Sequence, residues 1–440
     1  MIDFELLETA LQKTSSVRHM GKVLKMSEFI IEGNGPDVTV GSLCRIYPKG
    51  GHAPMKAEVV GFREDSILLM PFGNPVGVGP GCFIVADDED PSVLVSEKLL
   101  GRVLDGSGNP LDDMPAIREG VRVPIFSEPL NPLKRQPIDT PLDLGVKAVN
   151  GFLTVGNGQR IGIVAGTGVG KSVLMGMIAR NTDAEVCVIA LIGERGKEVG
   201  DFIHKNLGEK GKSRSVVIAA TSDQPPLIRM RGAAVATSIA EYFRGQGKNV
   251  LLMMDSLTRV AMAQREIGLA IGEPPTTKGY PPSVFSVLPK LLERAGRGEG
   301  RGSITGLYSV LVEGDDLNEP VSDTARAILD GHIVLSRELA AKNHYPAIDI
   351  MESISRVMID VASEEQVLDA GKLKEIIATY NEAQDLINIG AYVSGSNPKI
   401  DTAIRMIGPI NSFLRQGIFE KVDLNSSKQL LRELAGQSGI

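Results

Sequence analysis

Apolar and polar positions fall into three textures along the 440 residues. From Gly21 to about Asp90, short β-rich runs are separated by Gly, Pro and Asn: Val23 to Met26, Phe29 to Ile31, Leu43 to Tyr47, Ala57 to Val60 and Ile67 to Met70. Several short strands with turn residues between them predict a small β-barrel or sandwich. A linking region runs on to about Asn150, with Asp105 to Pro110 as its clearest turn. Residues 151 to 362 then alternate continuous apolar runs with helical patterns, as a parallel α/β sheet does when both its faces are covered. The predicted strands are Ile161 to Val164, Val186 to Ile192, Val216 to Ala220, Val250 to Met254, Ile304 to Val312 and Ile333 to Leu335. Beyond Ser363 the pattern is helical. Val367, Leu373, Ile377, Tyr380 and Ile387 fall near one stripe, Ser363-Glu-Glu-Gln366 reads as a capping box, and Gly390 stops the run. Ahead of everything, residues 2 to 13 predict a short amphipathic helix with Phe4, Leu7 and Leu11 on one stripe, a frayed terminus being the alternative.

In a parallel α/β sheet ligands bind outside the carboxyl ends of the strands, so the residues that follow each run carry the chemistry. After Ile161 to Val164 comes Ala165-Gly166-Thr167-Gly168-Val169-Gly170-Lys171-Ser172, and then the helical segment Val173 to Arg180. Strand, glycine loop and helix in that order are the context of a phosphate-binding loop. The glycines let successive backbone N–H groups turn inward around a phosphate, and the helix adds the positive end of its dipole. Residues 166 to 173 are therefore the candidate nucleotide contacts. Lys171 is placed to reach the β- and γ-phosphates, and the Ser172 hydroxyl to ligate Mg²⁺. Ala165 stands where the pattern usually has its first glycine.

Two further strand ends add charge. Val250 to Met254 runs into Asp255, placed to hold Mg²⁺ through its water shell; capping the next helix is the alternative role. Val186 to Ile192 runs into Gly193-Glu194-Arg195-Gly196. Hydrolysis of a γ-phosphate needs a carboxylate to polarise the attacking water and cations to carry charge on the phosphoryl oxygens. Glu194 suits the first task and Arg195 the second, against the alternative of two loop residues paired with other charges.

Composition narrows the partners. The net charge of −7, the absence of tryptophan and the 4% aromatic content argue against a nucleic-acid surface, which wants a basic stripe and stacking rings. No apolar run approaches the roughly 20 residues of a membrane span, and the acidic start is unlike a secretory signal, so a cytoplasmic location is expected. Cys44, Cys82 and Cys187 are odd in number, widely spaced and set among apolar neighbours, which suits reduced packing residues. The five histidines show no ligand spacing.

Taken with the glycine loop, the stretches Gly193 to Arg195, Met254 to Arg259, Leu292 to Gly296 and Gly302 to Thr305 resemble the hexameric ATPases of the rotary ATP synthase type. Within that group the chain looks most like the flagellar type III protein-export ATPases. Supporting stretches are Gly272 to Pro275, Lys278 to Phe285, Glu313 to Asp316, Ala327 to Arg337 and Phe413 to Phe419. The resemblance implies a RecA-like P-loop ATPase core in an α/β fold, with an N-terminal small β-barrel and a C-terminal α-helical domain. Its divisions would be a partner-binding extension over 1–20, the barrel over 21–95, the nucleotide-binding domain over 96–362 and helices over 363–440. It makes Glu194 the catalytic carboxylate, puts Arg195 and Arg259 near the terminal phosphate and Asp255 on the magnesium side. Tyr345 matches the aromatic residue that stacks on adenine, and Arg356 matches the arginine finger that a neighbouring subunit inserts.

ATP and Mg²⁺ are the cofactors implied. The partners implied are five further copies in a homohexamer, a stator-like regulator bound by the N-terminal extension, a stalk-like coiled-coil export protein in the ring centre, export chaperones with cargo, and a membrane export gate. The ring would then sit peripherally at the inner face of the cytoplasmic membrane through the export apparatus. Competing readings are a virulence-injectisome ATPase, identical in chemistry, and the catalytic subunit of a rotary synthase or vacuolar-type relative, whose acidic C-terminal lever this chain lacks. A hexameric RNA translocase is a further competing reading, opposed by the acidic balance and sparse aromatics.

Overall fold

The computed structural model describes residues 19–27, 29–87, 89–312 and 319–438. The amphipathic stripe of residues 2 to 13 and the stretch Glu313 to Asp316 lie outside them. The chain divides into two compact units, one built from the residues up to Ser92 with Pro225–Leu227 and Glu266–Pro274, the other from the rest.

The first unit contains a closed six-stranded barrel: β1 (Met20–Met26), β2 (Ile31–Gly33), β3 (Leu43–Tyr47), β4 (Met55–Arg63), β5 (Ser66–Pro71) and β6 (Phe83–Ala86), in the order β1-β2-β5-β4-β3-β6. Alternating residues Val23, Ile31, Cys44, Ile46, Ala57, Val59, Ile67, Leu69 and Ile84 fill its interior. Closure removes the open edges that a sheet this small would otherwise expose. Two details differ from the pattern of apolar runs. Phe29 is outside the strands and exposed, because a turn between Ser27 N–H and the Ile30 carbonyl at 2.9 Å delays β2 to Ile31. The closing strand β6, paired with both β1 and β3, has no counterpart among the predicted runs, since only these long-range pairings distinguish its four residues from a loop.

The second unit is built on a nine-stranded sheet. Eight strands run in the order β14-β13-β8-β12-β11-β9-β10-β7, where β7 is Val103–Asp105, β8 Arg160–Ala165, β9 Val186–Ile192, β10 Ser215–Ala220, β11 Asn249–Asp255, β12 Ser303–Leu311, β13 Gly331–Leu335 and β14 Ile348–Ser355. The pair Gly296–Arg297 adds a short antiparallel strand to β12. All six strands expected from the apolar runs are present within a residue or two. They are parallel, and β9, β10 and all but the first residue of β11 are buried along their whole length, which is why their sequences show no alternation. The two edge strands have no such signature: β7 is three residues long, and β14 runs antiparallel to β13 with an irregular burial pattern.

Helix α1 (Lys171–Asn181) follows β8, and the C-terminal helices α2 (Glu364–Asn388), α3 (Pro398–Leu414) and α4 (Leu424–Gly436) belong to this same unit. Leu373, Ile376, Phe413 and Leu431 share one core with Ile161 and Ile163 of β8, and the rings of Phe152 and Phe413 meet edge-on at 5.8 Å. The predicted capping box is half formed. The Ser363 hydroxyl accepts the Gln366 N–H at 3.3 Å, but the Gln366 amide turns inward and donates to the carbonyls of Asn150 and Gly151 and to the Thr154 hydroxyl. Those buried acceptors have a stronger claim on the amide than the exposed cap.

Candidate active site

The glycine loop leaves β8 at Ala165, which lies in register with Leu311 of β12 and Leu335 of β13, and enters α1. Gly168 and Gly170 have φ of +80° and +95°, in the left-handed region that glycine tolerates and other residues avoid. A cleft of ≈ 800 Å³ opens in front of the loop, lined by Gly166, Thr167, Gly168, Gly170, Lys171, Ser172 and Val173 on one side. Gly193, Glu194, Arg195, Glu198, Ser222, Arg259 and Leu311 line the other. Val169, like Ala165, turns its side chain into the core, where it is 2% exposed.

Three strand ends converge here. Asp255 closes β11 opposite Leu191 of β9, three residues before Glu194. The Lys171 ammonium contacts the buried Asp255 carboxylate directly and stands 3.7 Å from Glu194 Oε1. The Ser309 hydroxyl of β12 donates to Asp255 Oδ1 at 2.7 Å. Glu194 Oε1 is buried without a hydrogen-bond partner. Burial pushes the Glu194 carboxyl up to about 7, the nearby Asp255 charge adds to the rise, and Lys171 opposes it. Glu198, one helical turn on, is held below the usual carboxylate range by its side-chain hydrogen bond with Glu194 and by the nearby Arg195.

The cations of the far wall are differently placed. Arg195 is exposed and pairs with Glu198 at 3.9 Å. Arg259 is packed across the end of β9, and its Nε is buried with no partner. Gly193 makes that packing possible: its φ is +70°, and a Cβ there would lie 2.9 Å from Arg259 Cβ.

Tyr345 is half-exposed and stands against the other side of the loop, its ring carbons 3.5 Å from where a Gly170 Cβ would be. Together with Pro346, Ala347, Val173, Met177, Gln416 and Ile418 it lines a separate recess of ≈ 310 Å³. Gln416 N–H donates to the Tyr345 carbonyl at 3.0 Å, fixing the two walls to each other. A flat apolar slot beside a phosphate loop can take a heterocyclic base.

Arg356 is not brought to this site. It follows β14, whose Ser355 is in register with Gly331, whereas the loop edge is at Leu335. Four residues of strand put it about 13 Å away toward the opposite edge of the sheet, further than an arginine side chain spans.

Sequence reasoning missed Ser309, Ser222, Glu198, Gln416 and Ile418. The spacing of four between Glu194 and Glu198 ahead of a helix could have flagged the last acid. Ser309 carried no signal, because only the β11–β12 pairing brings it to Asp255.

The donors present fit Mg²⁺. Ser172 and Asp255 are hard oxygen groups beside the phosphate cradle, and among the described residues there is no cluster of three or more His, Cys, Asp or Glu side chains that would serve as an all-protein cage.

A glycine-rich loop from a buried parallel strand into a helix, facing a strand-end acid and a second carboxylate, defines a P-loop nucleoside triphosphatase. Residues 145–355 match the ATP synthase alpha/beta family, nucleotide-binding domain, and residues 362–433 match the T3SS EscN ATPase C-terminal domain. The chain is 52% identical over 429 residues to the flagellum-specific ATP synthase of Bacillus subtilis (strain 168), covering 97% of each chain. The assembled ATPase EscN from the enteropathogenic E. coli type III secretion system superposes with a TM-score of 0.89 at 45% identity, over 94% of this chain and 100% of that one. The same ATPase in complex with its central stalk EscO gives 0.87 at 44% identity, over 94% and 100%. The protein belongs to the family of flagellum-specific ATP synthases and type III secretion ATPases.

Proposed function

We propose that this chain hydrolyses ATP to energise flagellar type III protein export, releasing substrates from chaperones and delivering them unfolded to the export gate. The observation that carries the chemistry is the convergence of Lys171, Asp255 and Glu194 on one cleft, with Glu194 Oε1 buried and unpartnered. The unpaired oxygen is positioned to accept a hydrogen bond from an attacking water, and its raised pKa suits a general base working near neutral pH. Lys171 and the loop N–H groups hold the phosphates; Arg259 and Arg195 carry charge on the transferring phosphoryl oxygens. Ser172 and Asp255 would hold Mg²⁺, which would supply positive charge to neutralise the phosphates when bound. Tyr345 stacks on adenine in the recess it shares with Gln416 and Ile418.

Arg356 completes a neighbour's site. Its place at the far edge of its own sheet supports that reading, because it can reach such a cleft only from another copy. The relative solved as an assembled ATPase, and as a complex with its central stalk, supports a homohexamer threaded by a stalk-like partner. Peripheral attachment at the membrane through the export apparatus belongs to the same reading; among the described residues no helix is long and apolar enough to cross a bilayer.

Glu194→Gln is expected to bind ATP with little change while losing at least about 10²-fold in turnover, the usual worth of a general base. Lys171→Ala should weaken ATP binding itself. Measuring affinity with a fluorescent ATP analogue beside phosphate release separates the two; a Glu194→Gln enzyme with more than about a tenth of normal turnover would remove Glu194 from the base role.

A further inference from the structure

We infer that Arg160 is a positioning residue for the arginine each subunit lends to its neighbour: through the Asp330 carboxylate it fixes the turn from which Arg356 projects. The inference rests on the reading of Arg356 as a finger acting in trans.

The Arg356 guanidinium makes one hydrogen bond among the described residues, from Nη1 to the Leu329 carbonyl at 3.4 Å, too long to fix its aim. Its direction is set by its backbone. The Arg356 N–H donates to the Asp330 carbonyl at 3.0 Å, so both anchors are successive carbonyls of the turn between the helix Pro320–Ile328 and β13.

That turn is clamped to the first residue of β8. Asp330 Oδ2 accepts from Arg160 N–H at 2.9 Å and from Nε at 3.2 Å, Oδ1 accepts from Nη2 at 3.1 Å, and Asp330 N–H returns a bond to the Arg160 carbonyl at 2.8 Å. Arg160 Nη1 pairs with Glu293 at 2.5 Å, and Glu293 is gripped in turn by Arg135 at 2.8 Å. The neighbouring Gln159, fully buried, donates to the Asp330 carbonyl at 3.2 Å and to the Ser355 hydroxyl at 3.1 Å. Both the acceptor of the Arg356 N–H and the residue before Arg356 are therefore tied to the start of β8, whose other end carries the phosphate loop.

The strand itself does not need the Arg160 side chain. β8 is paired through its backbone with β12 over all six residues and with β13 over four. What the guanidinium adds is a charge-assisted, two-pronged hold on Asp330, only 15% and 26% exposed respectively, where such bonds are strong and directional. Losing it frees the turn to shift, and a displacement of about 1 Å at a catalytic group can cost roughly 10²-fold in rate.

The test uses full-length protein with Arg160→Gln and, separately, Asp330→Asn, which keeps the backbone carbonyl but loses the charge and exchanges one acceptor oxygen for an NH2 donor. Each variant should assemble normally on size-exclusion chromatography, bind ATP within about twofold of the unaltered protein, and lose about 10- to 10²-fold in kcat. Arg160→Lys, retaining a cation for Asp330, should recover part of that loss. The decisive reading is the complementation class. Mixed with Glu194→Gln, the Arg160→Gln subunits should regain turnover, up to roughly a quarter of normal at equal proportions, because their own sites are intact and receive a sound finger. Mixed with Arg356→Ala they should regain nothing. The reverse outcome would place Arg160 in service of its own phosphate loop and overturn the inference, as would a loss in kcat below threefold for both variants. A mixture of Arg356→Ala with Glu194→Gln tests the underlying reading separately. If that pair fails to complement, the finger assignment falls; if it complements while Arg160→Gln and Asp330→Asn do not, only the positioning role falls.

Discussion

Glu194 illustrates how a single side chain is tuned by where the chain ends its strand. A carboxyl raised from 4.5 to about 7 by burial and by the neighbouring Asp255 is largely protonated in mildly acidic solution. A protonated carboxyl cannot accept a proton from water, so kcat/KM for ATP should rise with pH through about 7 and level off above it. A profile flat from about pH 5.5 to 8.5 would contradict the base role, while the Glu194→Gln protein should show no such inflection. Gly193 makes a companion case. Gly193→Ala places a Cβ in a left-handed backbone region and 2.9 Å from Arg259 Cβ, so both the turn and the arginine must shift. The expected result is a loss of about 1–2 kcal/mol in stability, read by denaturant melting. A fall in kcat of about tenfold should accompany it as Arg259 leaves its place, while ATP still binds.

Among the elements, α2 shows a local signal redirected by packing. Ser363-Glu-Glu-Gln366 has the composition of a reciprocal cap, and Ser363 does cap, yet the Gln366 amide bonds the buried segment Asn150 to Thr154. Gln366 is therefore a strut between the helical layer and the nucleotide-binding core. Gln366→Ala leaves those buried acceptors short of a donor and should cost about 1–3 kcal/mol, seen as a lower Tm, whereas losing a solvent-exposed cap partner, whose place water can take, would cost less. An unchanged Tm would show that water replaces the amide.

For the molecule as a whole, the proposal that Arg356 completes a neighbour's cleft predicts that an isolated chain lacks one cation at its own site. Arginine fingers supplied in trans are worth about 10³ to 10⁵ in rate, so turnover per subunit should climb steeply with protein concentration across the assembly range. Light scattering and ATPase rate measured on the same dilution series should rise together. Constant specific activity across a proven dissociation would mean that each site is complete alone.

The fold class and most of the site are legible in the order of residues along the chain. The loop from Ala165 to Ser172 is local, since strand, glycines and helix are consecutive, and the buried parallel strands announce themselves as unbroken apolar runs ending in Asp255 or Glu194. Resemblance adds Arg259, Tyr345 and Arg356, whose proposed roles no local pattern states. What only the tertiary structure decided depends on pairings between distant segments. These are the closing strand β6, the edge strands β7 and β14, the hold of Ser309 on Asp255, the slot shared by Tyr345 and Gln416, and the clamp of Arg160 on Asp330. A hydroxyl or guanidinium has the same local sequence whether it faces solvent or a buried carboxylate. Its partner is chosen by sheet order and register, and those follow from how the whole core packs.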